Sequence, residues 1–488
     1  MNTFGLSGLK LKDRTLKTRK LDTSENQFEL FKRLYALYDK AFIFESLVGP
    51  KELAETSILG FDPELAISCD SEKLTVAGRD SVLAQYDVTE PLSQLRNIMP
   101  QVQENQFRFV GGAVGYISYD AIRFWERLPA QGKKRSVKNK FPLLEFGIYT
   151  DGILYNHIEN QAYYFSVGKS RFEYLQQLLR NSQSESDSSL DRFCYSTPRR
   201  NMTKRHFTDM VLKAKKYIYD GDIFQVVLAK SMKFDIQGNI ISLYESLREV
   251  NPSPYMYFVK MSDRCIVGSS PEMLVRVTGS LVETFPIAGT RPVSNNQQEN
   301  EKLCRDLLAD EKEVAEHTML VDLARNDIGR ICKFGTVTVN ELMTVKRFSH
   351  VQHIVSHVTG RIDKNRDSFD ALRAVFPAGT VSGAPKVRAM EIIDELEPEL
   401  RQAYAGAVGY FSFNGCCDFA IAIRSLFINK NKAYIQSGAG IVMDSDPEKE
   451  WQETEHKAGA MLLALRRAAR KGRSARQEKK KNAGRQAD

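Results

Sequence analysis

The 488-residue sequence lacks any uninterrupted apolar stretch near the roughly 20 residues that a bilayer-spanning helix needs. Its first residues carry no secretory pattern either, so it reads as a cytoplasmic protein with no membrane partner. The seven cysteines, Cys69, Cys194, Cys265, Cys304, Cys332, Cys416 and Cys417, form an odd set without CxxC spacing. That argues against a zinc ribbon and against a disulfide framework, and leaves reduced thiols. Also missing are a Walker phosphate loop, a GxSxG elbow, an HExxH zinc pair and any repeat of solenoid period, which removes several common enzyme classes and the repeat architectures.

Charge of one sign is scarce outside one place. The formal net charge is +8, but the segment from Arg466 to Asp488 alone carries a net +8, so residues 1–465 are neutral. A basic run of this kind reads as a solvated, disordered tail, and the neutral body gives no footprint for a nucleic acid. The alternative is a non-enzymatic protein that binds RNA or an acidic partner through that tail.

What is present divides the chain. Residues 1–30 are polar and read as a loosely held N-terminus, 31–180 as an N-terminal region of short strands, and 181–204, with SQSESDSSLD and PRRNMTK, as a linker. Residues 205–465 alternate long helical patterns with compact apolar strands, and 466–488 form the basic tail. The pattern is that of an α+β fold with one large catalytic core.

Two Glu-x-x-Glu pairs stand out. Glu313 and Glu316 lie in DEKEVAEHTMLVDLARND, and Glu450 and Glu453 lie in a helix whose start is marked by Asp446 and Pro447. The i,i+3 spacing puts both carboxylates of each pair on one helix face, an arrangement suited to a hard cation and equally to a solvated acidic surface. Arg424 sits inside the apolar run DFAIAIRSLFI, read as one strand, where a guanidinium needs an anionic partner from a ligand or from the chain itself. SGAG at 437–440 and GTVSGAPK at 379–386 offer glycine turns that bind anions or simply turn the chain. His353, in VQHIVSH, has the chemistry of an acid/base group or of a structural histidine.

GDIFQVV at 221–227, SPE at 270–272, PIAGTRP at 286–292, AEHTMLVDLARND at 315–327, GTVSGAPK, and SGAGIV with EWQET occur in an order and wording that resemble the chorismate-utilising enzymes. The resemblance implies a large chorismate-binding-type fold with orthogonal β-sheets flanked by helices. It implies that Glu316 and Glu453 hold Mg2+ with Glu313 and Glu450 beside them, and that Glu272 acts as a general acid. Substrate contacts fall on Gly289, Thr290, Thr380, Tyr404, Arg424, Gly438, Gly440 and Lys457, with Glu313 and His353 among the catalytic groups.

Members that add water resemble one another in having Lys where this chain has Gln225, and many aminodeoxychorismate synthases have Lys where this chain has Ala288. Amination of chorismate by ammonia, then pyruvate elimination through aminodeoxyisochorismate to anthranilate, is therefore implied, the first step of tryptophan biosynthesis. The para-aminobenzoate branch is the alternative, and isochorismate or salicylate formation a more distant one. No cysteine stands in a GxCxGxQ-like setting, so ammonia would come free or from a separate glutamine amidotransferase subunit. FIFES at 42–46 and NPSPYMYF at 251–258 resemble the segments of a feedback pocket for L-tryptophan, placing Glu45, Ser46, Pro254, Tyr255 and Met256 around the inhibitor. Alternatively, NPSPY is simply a rigid proline turn.

Overall fold

The computed structural model describes residues 15–48, 56–104, 107–129, 141–180, 193–347 and 351–485, with side chains described as far as residue 470. Strands of β-branched and aromatic residues assemble into two antiparallel sheets, of thirteen and twelve strands among the described residues. Period-two alternation decides what each face of the first sheet meets. In Tyr255–Met261, the side chains of Tyr257, Val259 and Met261 enter the core between the sheets. Met256 and Phe258 turn the other way, toward helices Gln27–Leu37 and Ile241–Val250. Phe42, on Lys40–Glu45, meets the Tyr149 ring of the opposite sheet at 4.8 Å, edge to face. Burial of each such ring contributes about 1.5–3 kcal/mol, so the shared interior holds the two sheets as one body.

The regions before and after 181–204 are not separate layers. In the larger sheet, Lys40–Glu45 pairs with Tyr255–Met261, and in the smaller one Gly112–Ile117 pairs with Ala407–Ser412. Within the stretch expected to be loosely held, residues 16–20 form an edge strand on Gln161–Val167, and Phe28 and Leu30 are buried, because their apolar side chains face the sheet. Residues 1–14 and 181–192 lie outside the described residues.

Helix Glu311–Gly329 begins at Asp310, whose side chain accepts from the amides of Lys312 and Glu313. The final helix, Pro447–Arg485, starts as its sequence requires, with Asp446 Oδ1 accepting from Lys449 N at 2.9 Å. Ala458, Met461, Ala464, Leu465 and Ala468 repeat at helical spacing and are buried against the larger sheet, so the boundary expected at 466 falls inside a packed helix. No described helix is long and apolar enough to cross a membrane. All seven cysteines are free thiols.

One element differs from its reading in the sequence. DFAIAIRSLFI is two strands, Cys417–Ile421 in the smaller sheet and Ser425–Asn429 in the larger one. Arg424 lies at the crossover with φ +51, a left-handed backbone that an L-residue adopts at a cost of about 1–2 kcal/mol. Backbone strain at a cavity wall is where functional constraint is expected.

Candidate functional site

A cavity of about 580 Å³ opens where the two Glu-x-x-Glu helices approach the ends of both sheets, and it is lined by each pair: Glu313 and Glu316, Glu450 and Glu453. Glu316 is held up from the ordinary carboxylate range by burial and by the charges of Glu313 and Glu453, against a hydrogen bond from Gln225 and the pull of Lys457. That bond, Gln225 Nε2 to Glu316 Oε1, is 2.9 Å. Burial and Glu453 likewise raise Glu450. Opposite charges at the rim are engaged: Arg291 reaches Glu313 at 3.2 Å and Asp310 at 2.8 Å, while Lys457 pairs with Glu453 at 2.6 Å and donates to Gly438 O at 3.1 Å.

Glycine makes the floor. A Cβ on Gly440 would stand 2.5 Å from Gln225 Nε2, and Gly289, at φ +65, would press one to 3.1 Å from Glu313 Oε2. Any side chain there displaces a carboxylate or its partner. The 437–440 glycines, read as turns in the sequence, instead lie in strand Lys432–Ile441, whose Gly440 pairs with Val227 and Gly438 with Ala229. GTVSGAPK forms the helical turn Gly379–Ser382 and then pairs Gly383 and Ala384 with Val226 and Gln225. Its Lys386 is bound to Asp327 at 2.6 Å.

On the lining of the same cavity, burial pushes the Glu272 carboxyl up to about 8, against the opposing effects of Thr380, Lys457 and Arg424. The Arg424 guanidinium is pulled below its ordinary value by burial, with Glu272 and Tyr404 acting the other way. Tyr404, itself buried, is raised to about 12. His353, on Val351–Arg361, donates from Nδ1 to Gly289 O at 2.7 Å, with Thr290 Oγ1 3.1 Å from the same nitrogen. A carbonyl acceptor at Nδ1 fixes the tautomer and makes Nε2 the basic nitrogen. Burial lowers its pKa, so the imidazole is neutral near pH 7. The cavity therefore combines a protonated carboxylic acid, a neutral imidazole, an acidic cluster and a buried cation.

A second cavity, of about 800 Å³, is lined by Glu45, Ser46, Pro254, Tyr255 and Met256. Met256 pairs with Glu45 across adjacent strands. The fully buried Glu45 carboxylate accepts from Arg248 Nε at 2.7 Å, Tyr244 Oη at 2.8 Å and Gln27 Nε2 at 3.2 Å. On the far wall, Tyr255 Oη donates to Asp418 at 3.0 Å, and Arg276 Nε donates to the same carboxylate at 2.9 Å. Tyr255, on the second cavity, pairs with Ser270, two residues before Glu272 of the first, and Ser253 Oγ donates to Ser270 O at 2.9 Å.

A family model described as chorismate binding enzyme matches residues 21–463. The chain belongs to this family. Anthranilate synthase component 1 of Methanothermobacter marburgensis is 46% identical over 468 residues, covering 96% of this chain and 98% of that protein. The protein of the same name from Aquifex aeolicus is 44% identical over 402 residues, covering 78% and 80%. Among solved structures, anthranilate synthase component I from Streptococcus pneumoniae aligns with TM-score 0.74 at 36% identity, covering 85% of this chain and 94% of that one. The menaquinone-specific isochorismate synthase of Escherichia coli, at 19% identity and TM-score 0.69 over 94% and 96%, shares the fold.

In this chorismate binding enzyme, every residue expected for catalysis, substrate or metal lines the first cavity, and all five expected around an inhibitor line the second. Sequence reasoning missed His456 and Lys312, which also line the first cavity. His456 lies three residues beyond Glu453, so helical spacing alone was enough to find it. The bond between Gln225 and Glu316 had no such signal, since 91 residues separate them.

Proposed function

We propose that this chorismate binding enzyme is the synthase component of an anthranilate synthase, converting chorismate and ammonia to anthranilate and pyruvate. One observation carries the reading: the first cavity unites a raised carboxylic acid, a neutral histidine and a buried arginine with two carboxylate pairs. Identity with proteins named anthranilate synthase component 1 over nearly the whole chain supports it. Free cysteines fit a cytoplasmic location.

The donor set fits a magnesium ion. Among the described residues no group of three His, Cys, Asp or Glu side chains is placed to hold a metal ion by itself, while the charge of Glu453 raises Glu316. Magnesium prefers one or two carboxylates and completes its shell with water and substrate oxygens. Glu316 and Glu453 would hold it, with Glu313 and Glu450 adjacent, and the bound cation would polarise the ring carboxylate.

The protein's own groups do the rest. Arg424 and Tyr404 bind the enolpyruvyl carboxylate, with Gly289, Thr290, Thr380, Gly438, Gly440 and Lys457 shaping the pocket. Ammonia attacks C2 while the ring double bonds shift and the C4 oxygen leaves; Glu272 supplies the proton that makes it water. His353 Nε2 then takes the C2 proton, the C3–oxygen bond breaks with its electron pair on oxygen, and pyruvate departs as its enolate, which is protonated by water, as the ring becomes aromatic. Ala288 offers no nucleophile for a covalent detour, and Gln225 cannot activate water as a base. Ammonia comes from a separate glutamine amidotransferase, and L-tryptophan in the second cavity inhibits.

Purified chain with chorismate, magnesium and ammonium salt should form fluorescent anthranilate and one equivalent of pyruvate. Release of aminodeoxychorismate without pyruvate would move the protein to the para-aminobenzoate branch and sink the proposal.

A further inference from the structure

We propose that Arg401 is the positioning residue of the substrate-binding wall: its guanidinium, locked to Glu397, holds Val227, Val381 and Tyr404 in the arrangement that receives the enolpyruvyl carboxylate. The inference rests on the functional reading above and assigns a residue which that reading does not use.

Arg401 and Glu397 are among the most deeply buried charges of the chain, with side chains 1% and 3% exposed. Both Glu397 oxygens accept from the fork, Oε2 from Nε at 3.0 Å and Oε1 from Nη2 at 2.5 Å. Three further bonds tie the pair to other residues. Nη1 donates to Val381 O at 2.6 Å, and Nη2 donates to Val227 O at 2.6 Å. Glu397 Oε1 also accepts from Ala229 N at 2.8 Å. The main chain closes the arrangement, with Tyr404 N donating to Arg401 O at 3.2 Å and the guanidinium 5.8 Å from the Tyr404 ring centroid.

One cation thus ties together strand Gln225–Gln237, the turn Gly379–Ser382 and the loop that delivers Tyr404. Val227, Val381 and Tyr404 all line the first cavity, and Val381 follows Thr380 directly. The loop needs such an anchor. Gln402 and Ala405, on either side of Tyr404, have φ of +54 and +61, a backbone that L-residues adopt only when their surroundings impose it.

Stability alone does not account for the pair. Replacing a buried ion pair by apolar residues of like volume is often neutral or stabilising, whereas a planar fork with several acceptors fixes direction as well as distance. Lysine, a point charge on a flexible stem, cannot reproduce that geometry. A wall that binds the substrate carboxylate equally in ground and transition states affects KM rather than kcat.

The test measures steady-state kinetics and melting temperature of wild type, Arg401→Lys, Arg401→Ala and Glu397→Gln with chorismate, magnesium and ammonium. Arg401→Lys and Glu397→Gln should raise the KM for chorismate about tenfold or more while kcat stays within about threefold. Guanidinium ion at millimolar concentration should restore the KM of Arg401→Ala. Wild-type KM in both Arg401→Lys and Glu397→Gln, with only melting temperature lowered, overturns the proposal. Should the Arg401 variants fail to fold, Glu397→Gln decides alone, since an unchanged KM there overturns it equally. A wild-type enzyme that makes no anthranilate would refute the functional reading instead.

Discussion

On the proposed mechanism, His353 and Glu272 would divide the two chemical steps between them. With Nδ1 committed to Gly289 O, the imidazole has one basic nitrogen and is neutral near pH 7. His353→Met keeps volume but carries no proton, so it should slow pyruvate elimination about 10²–10⁴-fold and leave amination much less affected. Chromatography with mass detection should then show aminodeoxyisochorismate accumulating; equal loss of both steps would make His353 a shaping residue. Glu272 sets a pH limit. Its pKa of about 8 lies above the ordinary 4.5, so the acid form persists at neutral pH, and kcat/KM should fall as pH rises through about 8. Between those two values the folded chain holds a proton that the unfolded chain has released, so this group's contribution to stability declines with rising pH. Denaturant titrations of Glu272→Gln should lack that component. The identities of both residues were legible from motif wording. Their protonation states were not, because burial and the Gly289 carbonyl are properties of the assembled cavity.

At the level of elements, the carboxylate pairs were readable because both members of each lie on one helix, where residues three apart are neighbours on one face. The cap of the final helix was readable for the same local reason, with Asp446 and Pro447 adjacent to the turn they start. Arg424 shows where local reading stops. The apolar run around it has the pattern of one strand, and nothing within it marks the change of sheet that puts φ +51 at the arginine. The partnership of the two helices across the cavity also depended on tertiary packing. It leads to a prediction: Glu316→Gln removes a charge that faces Glu453 and accepts from Gln225, so magnesium should bind at least about tenfold more weakly, while folding is kept because size is preserved. Calorimetric titration with magnesium checks this, and unaltered affinity would show that the carboxylate is not a ligand.

For the whole molecule, the decisive fact is that residues from both halves of the chain share both sheets, so the second cavity belongs to the same body as the first. Ser46, on its wall, is buried beside Glu45. Ser46→Phe should fill the space that tryptophan needs and abolish inhibition with turnover preserved, measured as anthranilate formation against inhibitor concentration; undiminished inhibition would place the effector elsewhere. The two cavities are connected through paired strands, with Tyr255 of the second paired to Ser270, which leads to Glu272 of the first. Any coupling of binding along that path runs both ways. If tryptophan on its side weakens chorismate binding by some factor, thermodynamic reciprocity requires chorismate to weaken tryptophan binding by the same factor. An enzyme crowded with substrate would then be deaf to its inhibitor in direct proportion, so tryptophan would act as a brake on idle enzyme more than on working enzyme. Equilibrium dialysis of tryptophan with and without chorismate, in the absence of ammonia, measures that factor from the inhibitor's side.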